Sequence, residues 1–168
     1  MKSKTVNSQQ STHHGNRFSL RNIGHILIVL VLMACSGGTI LHEYHDVDLW
    51  GWDATDTVSF VLPTITASGH VVATIGVRFT NSYPYNDLFL LGTLERDSTV
   101  VRKDTIKVSI YNEKGNNEGE GFPYATITQP IVSIEVDSGY AYEYKVNHMM
   151  QDPQIKGITS VGLHLKSN

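Results

Sequence analysis

The feature that most constrains this chain is a period of two running from Thr57 almost to its end. In HVVATIGVRF, Val71, Ala73, Ile75, Val77 and Phe79 share one parity, and Val72, Thr74 and Arg78 take the other. Ile106, Val108 and Ile110 repeat the pattern, and Val132, Ile134 and Val136 alternate with Ser133 and Glu135. Tyr140, Tyr142, Tyr144 and Val146 alternate with Ala141, Glu143 and Lys145. Val161, Leu163 and Leu165 alternate with Gly162, His164 and Lys166. Successive side chains of a strand point to opposite faces, so this alternation marks strands with one buried face. Asp87–Leu94 is apolar on both parities, which predicts a central strand covered on both sides.

Turn-forming clusters separate these runs: TASG (66–69), NSYPYN (81–86), ERDS (95–98), NEKGNNEGEG (112–121) and VDSG (136–139). The longest of them, Asn112 to Gly121, has no apolar anchor and reads as a mobile surface excursion. No stretch has a convincing amphipathic helical period; NHMMQDPQI is interrupted by Pro153. Seven or so strands at this spacing predict an all-β fold, an antiparallel β-sandwich of jelly-roll or immunoglobulin-like type.

The first third of the chain obeys different rules. Residues 1–22 carry Lys2, Lys4, Arg17 and Arg21 and no acid, and the apolar run Ile23 to Ala34 is broken only by His25. A basic flank, a short apolar core and a small residue are the layout of a secretory signal peptide. A spanning helix needs about 20 apolar residues, which this run does not reach. It ends in Leu32-Met33-Ala34-Cys35, with the only cysteine of the chain. That junction resembles the bacterial lipobox, in which the thiol is acylated and the preceding peptide removed. Two or more acyl chains on one residue suffice for stable attachment. The expected organisation is therefore a lipoprotein signal peptide (1–34), a lipidated tether (35–40) and one β-sandwich domain (41–168).

Removing the leader leaves nine Lys and Arg against sixteen Asp and Glu, a formal charge of −7. That argues against nucleic acid and against electrostatic attraction to anionic lipid. With Cys35 acylated no cysteine pair exists, and about 130 residues can bury a core without one.

The chain offers little for catalysis. There is no Gly-x-Ser-x-Gly, P-loop or Gly-x-Gly-x-x-Gly motif. HEYHD (42–46) has two His three residues apart, not the i, i+4 pair of a zinc helix, and in an extended segment they point to opposite sides. It is read as structural or docking sequence, with no metal assigned. Aromatics are the stronger signal. Trp50 and Trp52 flank Gly51, and Tyr83, Tyr85, Phe122 and Tyr124 sit in turns beside prolines. Such residues pack the ends of a sandwich, anchor a protein interface or stack on sugars.

The order of motifs is informative. Glu43-Tyr44-His45-Asp46 precedes Trp50-Gly51-Trp52; Asn81, Tyr83, Tyr85-Asn86 and Leu88-Phe89-Leu90 follow. Then come Phe122-Pro123-Tyr124, Gly157-Ile158 and Val161-Gly162-Leu163. With the lipobox, this order resembles the gliding-motility lipoprotein H family of Bacteroidota, from about Leu41 to Leu165. The resemblance implies a cell-envelope lipoprotein with no enzymatic activity and no cofactor. It implies an accessory part of the gliding and type IX secretion machinery, acting on other envelope proteins. Only Cys35, as the lipidated residue, carries over. The residues after Cys35, SGGT, lack the acidic run common in surface-exported lipoproteins of that group, so an outer-membrane protein facing the periplasm is expected. The six aromatics are the candidate partner-binding residues. The alternative is a carbohydrate-binding lipoprotein of a glycan-uptake system; a hydrolase ranks third.

Overall fold

The computed structural model describes residues 38–48, 50–131 and 133–167; the leader and Cys35 lie outside them. The strands are β1 (Thr39–Asp46), β2 (Trp52–Asp53), β3 (Val58–Val61), β4 (Gly69–Phe79), β5 (Asp87–Arg96) and β6 (Thr99–Ser109). They continue as β7 (Ala125–Pro130), β8 (Ile134–Val136), β9 (Tyr142–His148), β10 (Gln154–Ile155) and β11 (Ile158–Ser167). There is no helix among the described residues.

The first sheet runs β1-β11-β4-β7, with β8 also paired to β4. The second runs β3-β9-β5-β6, and β2 and β10 form a small ribbon. Every pairing is antiparallel. β1 pairs with β11, β3 with β9, β4 with β7 and β8, and β5 with β6. The pairs thus nest inward, from the domain's outermost strands to the β5–β6 hairpin, and apart from that hairpin, the adjacent β7 and β8 and the β2–β10 ribbon, successive strands change sheet. Two sheets built from four nested antiparallel pairs are a jelly roll. Of the two expected sandwich types, the topology selects this one over the immunoglobulin arrangement.

The periodicity maps onto burial with one exception: Tyr140 lies before β9 and is exposed, while Val132 falls outside the described residues. Val71, Ala73, Ile75, Val77 and Phe79 are buried from β4, and Val161, Leu163 and Leu165 from β11. Ile106 and Val108 of β6 and Tyr144 and Val146 of β9 meet them in one apolar cluster. Burial of this apolar area is the principal force holding the sheets together.

Three expectations need correction. β5 is central in its sheet, but it is not covered on both sides. Leu88, Leu90 and Leu94 are buried, whereas Phe89 is 39% exposed. The outer side is only partly roofed by the segment after β9, where Met149 N donates to Phe89 O (2.8 Å). The loop 112–121 is not a free excursion. The Asn112 side chain accepts from the amides of Lys114 and Asn116 (both 3.0 Å), and Glu118 N donates to Ile110 O (2.9 Å). Gly119 lies so close to Phe79 and Ala125 that a Cβ there would be 2.9–3.0 Å from both. Close packing and local side-chain hydrogen bonds replace the missing apolar anchor. Finally, the sandwich begins at Thr39, inside the expected tether: Thr39 pairs with Lys166, and Ile40 packs partly against the core.

Candidate docking surface

The register settles where the aromatics lie. β1 enters at Thr39 opposite Lys166 and leaves at Asp46 opposite Ser160. β4 runs from Val71, opposite Ser167, to Phe79, opposite Ile158 and Ala125. Gly38 and Ser167 therefore share one end of the sandwich. Trp50, after β1, Tyr83 and Tyr85, after β4, and Phe122 and Tyr124, before β7, gather at the other. Eight residues of β1 at about 3.3 Å each separate the ends by roughly 25 Å. Turns scattered over 75 positions of sequence thus meet because antiparallel strands of similar length return their loops to the same edge.

The six aromatics are not equivalent there. Trp50 is 83% exposed and Phe122 96%, with Tyr124 at 42%. Tyr85 is half-buried, and its hydroxyl donates to Asp152. Two candidates are corrected: Trp52 and Tyr83 are core residues, 0% and 2% exposed. Trp52 Nε1 donates to Asp56 O (2.9 Å), and Tyr83 Oη donates to Asp87 O (2.9 Å). Each polar tip has an internal acceptor, so the apolar body can be buried without an unsatisfied group. Trp52 sits in the β2–β10 ribbon, paired with Ile155. In a regular strand residues 50 and 52 would share a face; the turn at Trp50 and the positive φ of Gly51 (140°) break that parity, so Trp52 lies inside and Trp50 outside.

His148 completes this part of the core. It is 3% exposed, its ring meets Trp52 edge-on at 5.2 Å, and Nε2 lies 3.1 Å from Trp52 O. Met150 N approaches Nδ1 at 3.4 Å. Both contacts are satisfied by the neutral ring with the proton on Nε2. Burial lowers the His148 pKa below its usual 6.5, against the opposing pull of the Trp52 carbonyl and Asp53. His164 is lowered as well, by burial first and then by His42 and Lys166. The unfolded chain therefore binds more protons than the folded one as pH falls through about 6.5. Stability is fully present above that value and is lost below it. The melting temperature is expected to fall between about pH 7.5 and about pH 5.5, and less steeply in His148→Gln. An equal slope in the variant would remove His148 from the account.

A second structure at this end was not singled out by sequence reasoning. On the outer face of the first sheet, Tyr44 of β1 stands in register with Gly162 of β11, which pairs with Gly76 of β4. The Tyr44 ring occupies the space the two glycines leave free. A Cβ on Gly162 would meet Cε1 at 2.6 Å, and one on Gly76 would meet Cζ at 2.8 Å. The Arg78 guanidinium covers the ring, with Cζ 3.9 Å from its centroid, and lies 5.6 Å from the centroid of Tyr124. The available signal was two glycines in the middle of strongly patterned strands. Such glycines weaken a strand unless something must approach closely. In HEYHD the two imidazoles diverge as the extended reading requires: His42 stacks on His164 at 4.6 Å and His45 on Phe60 at 4.8 Å.

The opposite end holds a groove of about 550 Å³ lined by residues including Ile40, Ile65, Val71 and Val136. Among the described residues that line it, His70 is the one titratable side chain. A single imidazole supplies no acid–base pair and no activated nucleophile.

Comparison with known proteins adds family context. Residues 39–165 match the family described as GldH lipoprotein. The gliding motility lipoprotein GldH of Flavobacterium johnsoniae is 27% identical over 158 residues, covering 88% of this chain and 97% of the relative. A GldH homolog from Christiangramia forsetii is 21% identical over 154 residues, covering 85% and 93%. Among solved structures, dimeric latent PorU from Porphyromonas gingivalis aligns over 80% of this chain and 14% of that one, at 13% identity and a TM-score of 0.34. The Eiger TNF structure from S. frugiperda aligns over 79% and 88%, at 10% identity and a TM-score of 0.35. Both structural likenesses are loose and carry nothing further.

Proposed function

The chain belongs to the GldH lipoprotein family, and from that premise we propose that it is a lipid-anchored protein of the outer membrane facing the periplasm. It is acylated on Cys35 and serves the gliding or type IX secretion machinery by binding other envelope proteins, without catalysis, cofactor or small-molecule substrate. The observation that carries this reading is the gathering of exposed aromatics, Trp50, Phe122 and Tyr124, at the end of the sandwich away from Gly38. A tether attached at Cys35 reaches the domain through Gly38, three residues on. The aromatic end is then the one farthest from the lipid and free to meet a protein. Large exposed aromatics are the residues from which interface hot spots are built.

The carbohydrate-binding alternative draws less support. A sugar platform needs a planar row of exposed aromatics on one face; of the six candidates Trp52 and Tyr83 are buried and Tyr85 is half-buried, which leaves Trp50, Phe122 and Tyr124, carried on two separate turns.

Two measurements test the proposal. The intact mass of the native protein should equal the chain from Cys35 onward plus acyl groups. Cys35→Ala should accumulate as unprocessed, unlipidated precursor. If that variant remained in the envelope fraction in a detergent-sensitive way, the apolar run 23–34 would be the anchor instead. Trp50→Ala and Phe122→Ala together should reduce recovery of envelope partners from gently solubilised membranes. Retention on polysaccharide with no protein partner would favour the sugar reading.

A further inference from the structure

We propose that the outer face of the first sheet, at its far end, docks an acidic segment of another envelope protein, with Arg78 as the anchor for a partner carboxylate; this rests on the protein-binding reading above. Among the described residues Arg78 donates no side-chain hydrogen bond and makes no ion pair. Its Nε is buried without an acceptor. The other two arginines on strands are partnered: Arg96 holds Asp137 at 3.0 Å and Arg102 holds Asp104 at 2.9 Å. In a mature chain with sixteen acids against nine bases, an arginine without a carboxylate is out of keeping with its surroundings. The acid in its own cross-strand row, Asp46, is two strands away across Ser160, or about 10 Å.

This cation is also held in place. Gly76 and Gly162 make room for Tyr44, and the Tyr44 ring and the more distant Tyr124 ring flank the guanidinium. Cation–π contact fixes the plane of the fork, so little freedom remains to be lost on binding. The two Nη groups of this planar, immobilised guanidinium have no acceptor among the described residues and can engage a carboxylate end-on through two parallel N–H···O bonds. Phe122, two residues from Tyr124 and almost fully exposed, offers an apolar side chain at the same end of the sandwich. Charge complementarity therefore selects a segment with Asp or Glu next to an apolar side chain. A lipid headgroup fits poorly, because the site lies at the end away from Gly38. A sugar fits poorly, because the Tyr44 ring has no free face.

The experiment uses the full-length protein in its host, with a benzophenone amino acid installed at Phe122 and, as a control, at the exposed Val61 of the second sheet. Cross-linked peptides are sequenced by mass spectrometry. The expected result is an adduct from Phe122 to one envelope protein, within a few residues of an Asp or Glu. Its yield should fall about tenfold in Arg78→Gln and recover little in Arg78→Lys, which keeps the charge and loses the fork. Changing the partner's acid to its amide should give the same loss, and that test leaves this chain intact. An adduct unaffected by either change, or one to lipid, glycan or a second copy of this chain, overturns the inference. Adducts from Val61 alone overturn it while leaving the protein-binding reading standing. No protein adduct from either position overturns both.

Discussion

Trp52→Ala is expected to destabilise the domain by about 3–5 kcal/mol, the usual cost of truncating a fully buried tryptophan, whereas Trp50→Ala should change stability by no more than about 0.5 kcal/mol. The two differ by one glycine in sequence and by everything in environment. Trp52 is 0% exposed and packs edge-on against His148. Removing it leaves a cavity and takes away the donor to Asp56 O. It also weakens the ribbon in which Trp52 faces Ile155. Trp50 has only the turn bond from its backbone amide to Asp48 Oδ1, at 2.8 Å, and alanine keeps that bond. Urea unfolding of each variant reads the difference directly. Partner recovery should show the reverse order, provided Trp52→Ala is assayed where it is still folded. Equal losses of stability would mean that Trp50 packs in solution, and would remove it from the docking surface.

How much of this was legible in the sequence depends on how local each cause is. The inward parity of Val71 to Phe79 and of Val161 to Leu165 could be read directly, because alternation is a property of each strand alone. The convergence of the aromatic turns was half legible. All six residues do lie at one end, but which of them point outward depends on a partner strand. Trp52 is drawn in by its pairing with Ile155, some hundred residues away. Tyr83 is drawn in by an acceptor, Asp87 O, that becomes available only when β5 starts where it does. The choice of jelly roll over immunoglobulin sandwich was not legible at all. It is decided by β1 meeting β11, a contact between the first and last strands of the domain that no local pattern encodes. The same holds for Arg78. Its parity placed it outside, but its isolation from acids and its seat on Tyr44 require three strands in register. Asp87–Leu94 misled for a related reason. Phe89 and Leu91 look like a second buried face, and the structure supplies only the Met149–Met150 segment to shelter them.

Gly157→Ala is expected to cost about 3 kcal/mol or more, backbone strain and steric exclusion acting together, and its controls lie in the same chain. Gly157 has φ +85° and links β10 to β11. A Cβ there would lie 2.6 Å from Tyr83 Cα and 2.8 Å from Ser82 C. Those are backbone atoms, which no rotamer change can move aside. Gly157 O also accepts from Thr80 N (2.8 Å), and Thr80 O accepts from Tyr83 N (3.1 Å). The substitution therefore separates the turn that seats Tyr83 from the turn that starts β11. Gly139 has the same φ, +85°, and nothing within 4 Å of its missing Cβ. Gly139→Ala should cost only the left-handed backbone penalty of about 1–2 kcal/mol. Gly69, also with open space, has a backbone that L residues adopt readily. There alanine should be neutral or stabilise by about 0.4–1 kcal/mol, through lost freedom of the unfolded chain. The series separates chain entropy, backbone strain and steric exclusion by subtraction. If Gly157→Ala and Gly139→Ala cost the same, the close approach to Tyr83 contributes nothing, and the turns at the docking end are held by hydrogen bonds alone. If Gly157→Ala costs more by the expected margin, rigidity at that end is set by a contact only glycine permits. The aromatic surface would then be a preformed one.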